Sequence, residues 1–245
     1  MSRITVGAEY LRIARMFAVT DRKKAHIHQR FITAATYILL HPTGKTGLHV
    51  ISTDGAVVCI QYDKDGAADR AYTIKIDDDT AGHLKGNTVD SRQVVIDMEK
   101  DRLRVLEGTE TVFKAALCNN VRKAHIFEHA GPSLPTGENG VMIYPDWRRI
   151  APSEEDLTGM KEGFPGIISM RYLRTIAAMY DDWLDYRDVR ILHKPRGTLD
   201  DSTIYAQFPW RPQMLLIIAP LTGGEFDSQG NALEVLNPEA EDDEL

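Results

Sequence analysis

Cysteine is scarce in this chain of 245 residues. Cys59 and Cys118 are the only two, too few and too far apart for a disulfide framework or a zinc site, which leaves buried free thiols as the expectation. Long apolar runs are also missing. No stretch approaches the ~20 residues that a bilayer span requires. The start, MSRITVGAEY, lacks a basic stretch followed by an apolar core, so a cytoplasmic protein without membrane contact is expected. There is no Gly-rich phosphate loop, no Gly-x-Ser-x-Gly elbow and no His-Glu-x-x-His, so neither catalytic residues nor a cofactor are expected. One enzymatic candidate remains, a metal-dependent enzyme using His26 and His28: His26-Ile27-His28 puts two imidazoles on one side of a strand, and His41, His49 and Asp54 could in principle join them as ligands. Their spacing matches no zinc or two-metal signature, and scattered surface histidines are the expected reading. Asp77-Asp78-Asp79 is better placed to cap a helix N-terminus than to act as a catalytic carboxylate pair.

What is present is ordinary in amount and uneven in placement. Hydrophobic residues make up 43% and charged residues 27%, the proportions of a folded globular protein. The net charge of −7 belongs to one end. From Glu225 to Leu245 there are eight acids and no Lys or Arg, so the remainder carries 29 basic and 28 acidic residues. A nearly neutral body with a local basic surface keeps nucleic acid among the partners, and the acidic end, 225–245, reads as a disordered tail.

The apolar periodicity predicts a helix over 7–18, with Leu11, Ala14, Phe17 and Ala18 on one stripe, Tyr10 and Ile13 widening it, and Arg12 and Arg15 opposite. Strands are predicted over 31–40, 48–53 and 57–62, the last two flanking the turn residues Asp54 and Gly55. The pattern then partly recurs: a strand over 72–76, a short helix over 77–84, and strands over 94–98 and 103–106 around the turn Glu99-Lys100-Asp101. Residues 130–140 read as a Gly- and Pro-rich loop. A second amphipathic helix is predicted over 171–184, with Leu173, Ile176, Ala177, Tyr180 and Leu184 on its apolar face, followed by strands over 189–192, 203–208 and 214–219. Helix followed by several strands, twice, is an α+β arrangement of helices on antiparallel sheet.

The segment Tyr144-Pro145-Asp146-Trp147-Arg148-Arg149-Ile150-Ala151-Pro152 resembles the interdomain connector of the bacterial β sliding clamp, the processivity subunit of DNA polymerase III. Leu48-His49-Val50-Ile51-Ser52-Thr53-Asp54-Gly55 is similar to that family's strand leading into Thr-Asp-Gly, and Leu215-Leu216-Ile217-Ile218-Ala219-Pro220-Leu221 to its terminal apolar strand. The matches occur in the family's order and, with the helices, cover roughly residues 5 to 222. The resemblance implies a DNA-clamp fold with about two clamp-like domains: 1–143, a connector over 144–152, and a reduced domain over 153–224. The short stretch between Pro152 and Gly166 leaves one half-domain missing or much reduced. Bacterial clamps carry three domains per chain and close as dimers. A two-domain chain would need three copies to reach six domains, so a homotrimer, of the kind a phage or mobile element would encode, is the expected assembly.

The resemblance also implies partners and sites. A clamp does no covalent chemistry: it encircles double-stranded DNA without reading sequence, through phosphate contacts, and docks DNA polymerase and clamp loader. The cations carried over for DNA are Arg12, Arg15 and Arg22 on the first helix, Lys23 and Lys24 beyond it, and Arg171 and Arg174 on the second, where Asp181, Asp182 and Asp185 follow. The same charges also fit ordinary solvated helix faces. The peptide pocket carried over comprises Thr53, Gly55, Ala56, Val57 and Val58, then Pro145, Arg149 and Ile150, then Ile217, Ala219 and Leu221. Ala56 and Val57 stand where the family places a polar residue and Arg, implying an altered peptide preference. The tail, with Leu233, Val235 and Leu236 as apolar anchors, departs from the family and either stays solvated or folds back over the pocket or the basic helix. A ringless adaptor or decoy that binds host replication proteins is the alternative to a clamp.

Overall fold

The computed structural model describes residues 3–19, 32–44, 46–86, 91–117, 120–127, 141–163, 170–179, 188–193 and 203–219. The chain starts with strand β1 (Arg3–Gly7) and runs directly into helix α1 (Ala8–Met16). Where a strand was expected over 31–40, the backbone makes a one-turn helix, α2 (Ile32–Ala35), and the strand, β2 (Ile38–Pro42), begins later. The residues Ala34 and Ala35 favour helix over strand, and Pro42 sits at the end of β2, where its missing N–H does not interrupt the ladder.

A meander follows: β3 (Leu48–Thr53), β4 (Val57–Asp63) and β5 (Tyr72–Ile74). Helix α3 (Asp78–Gly82) is capped as the acidic triplet implied, the Asp77 carboxylate accepting from the Thr80 N–H at 2.8 Å. Next come β6 (Arg92–Asp97), β7 (Arg102–Glu107), β8 (Glu110–Ala116), β9 (Val121–Phe127) and β10 (Met142–Pro145). A 3₁₀ turn, Trp147–Arg149, leads to α4 (Glu154–Thr158) and the two-residue strand β11 (Lys161–Glu162). The last elements are α5 (Met170–Ala178), β12 (Arg190–His193), β13 (Ile204–Gln207) and β14 (Met214–Ile218).

The strands form a four-stranded sheet, β1-β6-β7-β8, and a ten-stranded sheet, β10-β9-β5-β2-β3-β4-β14-β13-β12-β11. All described pairings are antiparallel except β9 with β10. The pairing of β4 with β14 joins the early meander to the last strands in one sheet.

Alternation along these strands sorts their side chains onto two faces. On one face, Ile38, Leu40, Val50 and Tyr72 pack with the four-stranded sheet residues Val6, Val94 and Ile96 and with Leu11 and Ala14 of α1. On the same face, further along the sheet, Val57, Cys59, Leu216 and Ile218 pack with Ile13 and Phe17 from α1 and with Tyr172 and Ile176 from α5. Helix α1 therefore belongs to two apolar clusters, which explains why Tyr10, Leu11, Ile13 and Ala14 are all buried. The apolar face of α5 is rotated from the expected one. Tyr172, Ile176 and Met179 are buried at helical spacing, whereas Leu173 is half-buried and Ala177 exposed.

The opposite face carries Leu39, Ile51, Ile60, Tyr205, Leu192 and Ile217 and is covered by the connector residues Met142 and Tyr144, with Trp147, Ala151, Leu157 and Met160 around the edge. Along the sheet, β10 lies four strand spacings from β3, roughly 19 Å. Yet the Tyr144 hydroxyl donates to the Ile51 carbonyl at 3.4 Å, so the β9–β10 edge curls back over this face.

Candidate docking surfaces on the two sheet faces

The Thr53-Asp54-Gly55 segment closes the β3–β4 hairpin. Gly55 adopts φ 98°, a left-handed conformation that favours glycine. The Thr53 hydroxyl donates to the Val57 carbonyl at 2.7 Å, and the Asp54 carboxylate accepts from the N–H groups of Ala56 and Val57 at 3.1 and 3.0 Å. Asp54 is only 2% exposed. It also accepts the Tyr172 hydroxyl at 3.3 Å and faces Arg171 Nη2 at 3.2 Å. Burial first, then the neighbouring Asp54 charge, raises the Tyr172 pKa, keeping that hydroxyl protonated and donating. One carboxylate thus fastens the hairpin turn to α5.

The peptide-pocket residues divide between the two faces. Register aligns Thr53, Val58, Ile217, Tyr205 and Leu192 in a transverse row on the connector face. Val57 is a correction to the expected set: as Val58's neighbour along the strand it points the other way, into the cluster beneath α5, and Ala56 packs against that same cluster. Ala219, two residues beyond Ile217, is exposed and donates its N–H to the Ala56 carbonyl at 2.7 Å. Ile150 is 48% exposed, Arg149 exposed and Pro145 half-buried, along the connector that crosses the face. Leu221 lies outside the described residues. What the face offers is a stripe of half-buried apolar side chains, Val58, Leu215, Trp147, Ala151, Leu157 and Met160, beside Ile150.

The connector is seated on two histidines that sequence reading treated as scattered. His41 and His49 face each other across β2 and β3, and the Trp147 ring lies 4.8 Å from His49 and 6.2 Å from His41. Neither Trp147 Nε1 nor His41 Nδ1 has a hydrogen-bond partner among the described residues. Burial, and then the Arg148 charge, lowers the His41 pKa against the opposing pull of Asp146; burial and then His41 lower that of His49. A histidine depressed in the folded state binds fewer protons than it does unfolded, so its contribution is fully present above the ordinary value of about 6.5 and is lost as pH falls toward the folded pKa. Urea midpoints should therefore drop on going from pH 7.5 to 5.5, and a His41→Gln/His49→Gln variant should show a shallower drop. Equal slopes would remove the pair from the pH dependence.

On the helical face, the expected cations are largely engaged within the protein. Arg12 pairs with Glu9 at 2.7 Å and donates to the Met179 carbonyl at 3.2 Å, linking α1 to α5. Arg15 donates to the Ile76 carbonyl at 3.1 Å and pairs with Asp78. The expectation that these two form a solvated basic stripe is corrected: the α3 cap and α5 come close enough to bind them. Arg171 is half-exposed beside Asp54, and Arg174 is exposed. Arg22, Lys23, Lys24, Cys118, His26, His28, the loop 130–140, Tyr180, Asp181, Asp182, Leu184, Asp185 and the tail lie outside the described residues. Among the described residues no group of three His, Cys, Asp or Glu side chains is placed to hold a metal, and no helix is long and apolar enough to cross a membrane. Cys59 is buried and unpaired, its thiol pKa raised by burial.

No protein-family model matches this chain, and no curated protein matches it. Solved structures do. The DNA polymerase III subunit β of Borrelia burgdorferi, in complex with a natural product, superposes with a TM-score of 0.50 at 11% identity over 91% of this chain and 64% of that one. The fold is that of the β sliding clamp. The corresponding Thermotoga maritima subunit gives 0.48 at 10% identity, covering 93% and 66%, and that of Pseudomonas aeruginosa 0.48 at 11%, covering 90% and 66%. The chain thus spans about two-thirds of the length of these clamp chains. The clamp fold here is mixed α+β with large antiparallel sheets, helices α1 and α5 on one face of the long sheet and the connector, with α2 and α4, on the other.

Proposed function

We propose that the protein is a sliding clamp: a ring of this chain around duplex DNA that tethers a replicative polymerase and receives its loader. The observation that carries the reading is the division of surfaces within a clamp fold. Helices α1 and α5 lie side by side on one face, joined through Arg12 and the Met179 carbonyl, where they would face phosphates. The connector crosses the other face with Ile150, Arg149 and the Val58–Ile217 stripe, where short peptides with aliphatic or aromatic anchors would dock. The work is topological and electrostatic rather than covalent. Since the chain spans about two-thirds of a clamp subunit, three copies would supply what two copies supply there, and strand β8, exposed along much of its length and at the edge of its sheet among the described residues, is available for pairing between copies.

Light scattering over a range of protein concentrations tests this directly. Three chains of 27.5 kDa give a mass of roughly 80 kDa, and that is the expected result. A stable monomer would instead support the second reading, a ringless clamp-like adaptor or decoy that binds replication proteins through the connector face. That alternative is favoured by the engagement of Arg12 and Arg15 with carboxylates, which reduces the positive potential on the helical face.

A further inference from the structure

On the helical face, Met16, Met170, Arg171, Arg174 and Ala177 line a groove of about 720 Å³ between α1 and α5. Met170 is 68% exposed, so its apolar side chain is available at the mouth of the groove. The rim is cationic. Arg171 keeps 47% of its side chain exposed while pairing with Asp54, and Arg174 makes no ion pair among the described residues. A ligand matched to this groove is an acidic strand with a few aliphatic side chains.

The chain carries such a segment, and the last described residue before it lies close to the Asp54–Arg171 pair beside the groove. Ala219, the residue after β14, donates to the Ala56 carbonyl; the Ala56 N–H donates to Asp54; and Asp54 pairs with Arg171 in the first turn of α5. Ala219 is therefore two hydrogen bonds away from that carboxylate–arginine pair, and residues 220–245 follow it in the sequence. From Glu225 onward they hold eight acids and no Lys or Arg, with Leu233, Val235 and Leu236 among them. Fully extended, the residues between Ala219 and Leu233 reach up to roughly 45 Å, against an α5 length of roughly 14 Å, so reach does not limit contact.

We propose that the tail is an intrachain ligand of the α1–α5 groove, with Leu233, Val235 and Leu236 against Met16 and Met170 and the terminal acids, Glu239 to Glu244, along Arg171 and Arg174. Docked there, it competes with any polyanion for the helical face. Competition with duplex DNA rests on the clamp reading given above; occupancy of the groove does not.

Hydrogen exchange of the full-length protein tests occupancy. Amides of α5 should exchange at least about fivefold more slowly in the wild type than in L233S/V235S/L236S or in R174E, and raising the salt to about 0.5 M should speed the wild type toward the variants. Equal exchange in wild type and tail variant overturns the proposal. Protection that rises with protein concentration assigns the ligand to a neighbouring copy and overturns the intrachain form. A second arm measures affinity for a short DNA duplex at low salt. Tighter binding by the tail variant, by about fivefold or more, supports competition. Faster α5 exchange with unchanged DNA affinity supports the docked tail and overturns the assignment of this face to DNA.

Discussion

Replacing Asp54 with Ala should cost about 3–5 kcal/mol of folding stability, a large share of the about 5–15 kcal/mol by which folded proteins are stable. The carboxylate is 2% exposed and receives two hairpin N–H groups, the Tyr172 hydroxyl and the Arg171 guanidinium. Alanine leaves the Ala56 and Val57 amides and the Tyr172 hydroxyl without their acceptor in a site with little access for water, and it separates the β3–β4 turn from α5. Asp54→Asn keeps an acceptor oxygen but loses the charge facing Arg171, so a smaller loss, about 1–3 kcal/mol, is expected. Tyr172→Phe deletes one donor and should cost about 1 kcal/mol. Urea denaturation of the three variants checks the order. A loss below about 1 kcal/mol in Asp54→Ala would show that packing of Ile176 and Met179, rather than this carboxylate, holds α5 on the sheet.

The second large effect concerns DNA. On the proposed clamp function, the protein assembled on a nicked circular plasmid should stay with the DNA through gel filtration at about 0.2 M salt, and cutting the plasmid once should release it, a difference of at least about a hundredfold in retention time. Phosphate contacts weaken steeply with salt, and non-specific binding that depends on them has dissociation constants of about 10⁻⁴–10⁻⁶ M. With Arg12 and Arg15 paired to Glu9 and Asp78, few cations on the described helical face remain to supply that affinity. Retention at this salt would then come from linkage of ring and plasmid, which salt does not screen. Equal loss from circular and cut plasmid would favour the ringless adaptor.

Arg12 and Arg15 also show the limit of reading a helix as a wheel. Their spacing opposite Leu11 and Ala14 was legible, and it placed them on the polar side. That side proved to be against Glu9, the Met179 carbonyl and the α3 cap rather than open to water. Val57 and Val58 show the same limit for a strand. A stretch of contiguous apolar residues gives no alternation to read, so the face that each residue takes was settled only when β4 paired with β14.

Much of the local structure was determined by the sequence alone. The α1 periodicity, the Asp77 cap and the Asp54-Gly55 turn rest on interactions within a few residues, and the strands over 48–53, 57–62 and 214–219 were marked by short apolar, β-favouring runs, all of which a sequence window contains. Three connector and strand segments were enough to point to a clamp. Tertiary structure alone decided which strands share a sheet, that the connector's Trp147 packs on His41 and His49, and that Asp54 joins a hairpin turn to α5 across 118 positions. Such contacts depend on register between distant strands. A one-residue slip would turn every side chain to the opposite face, and no local propensity encodes that choice.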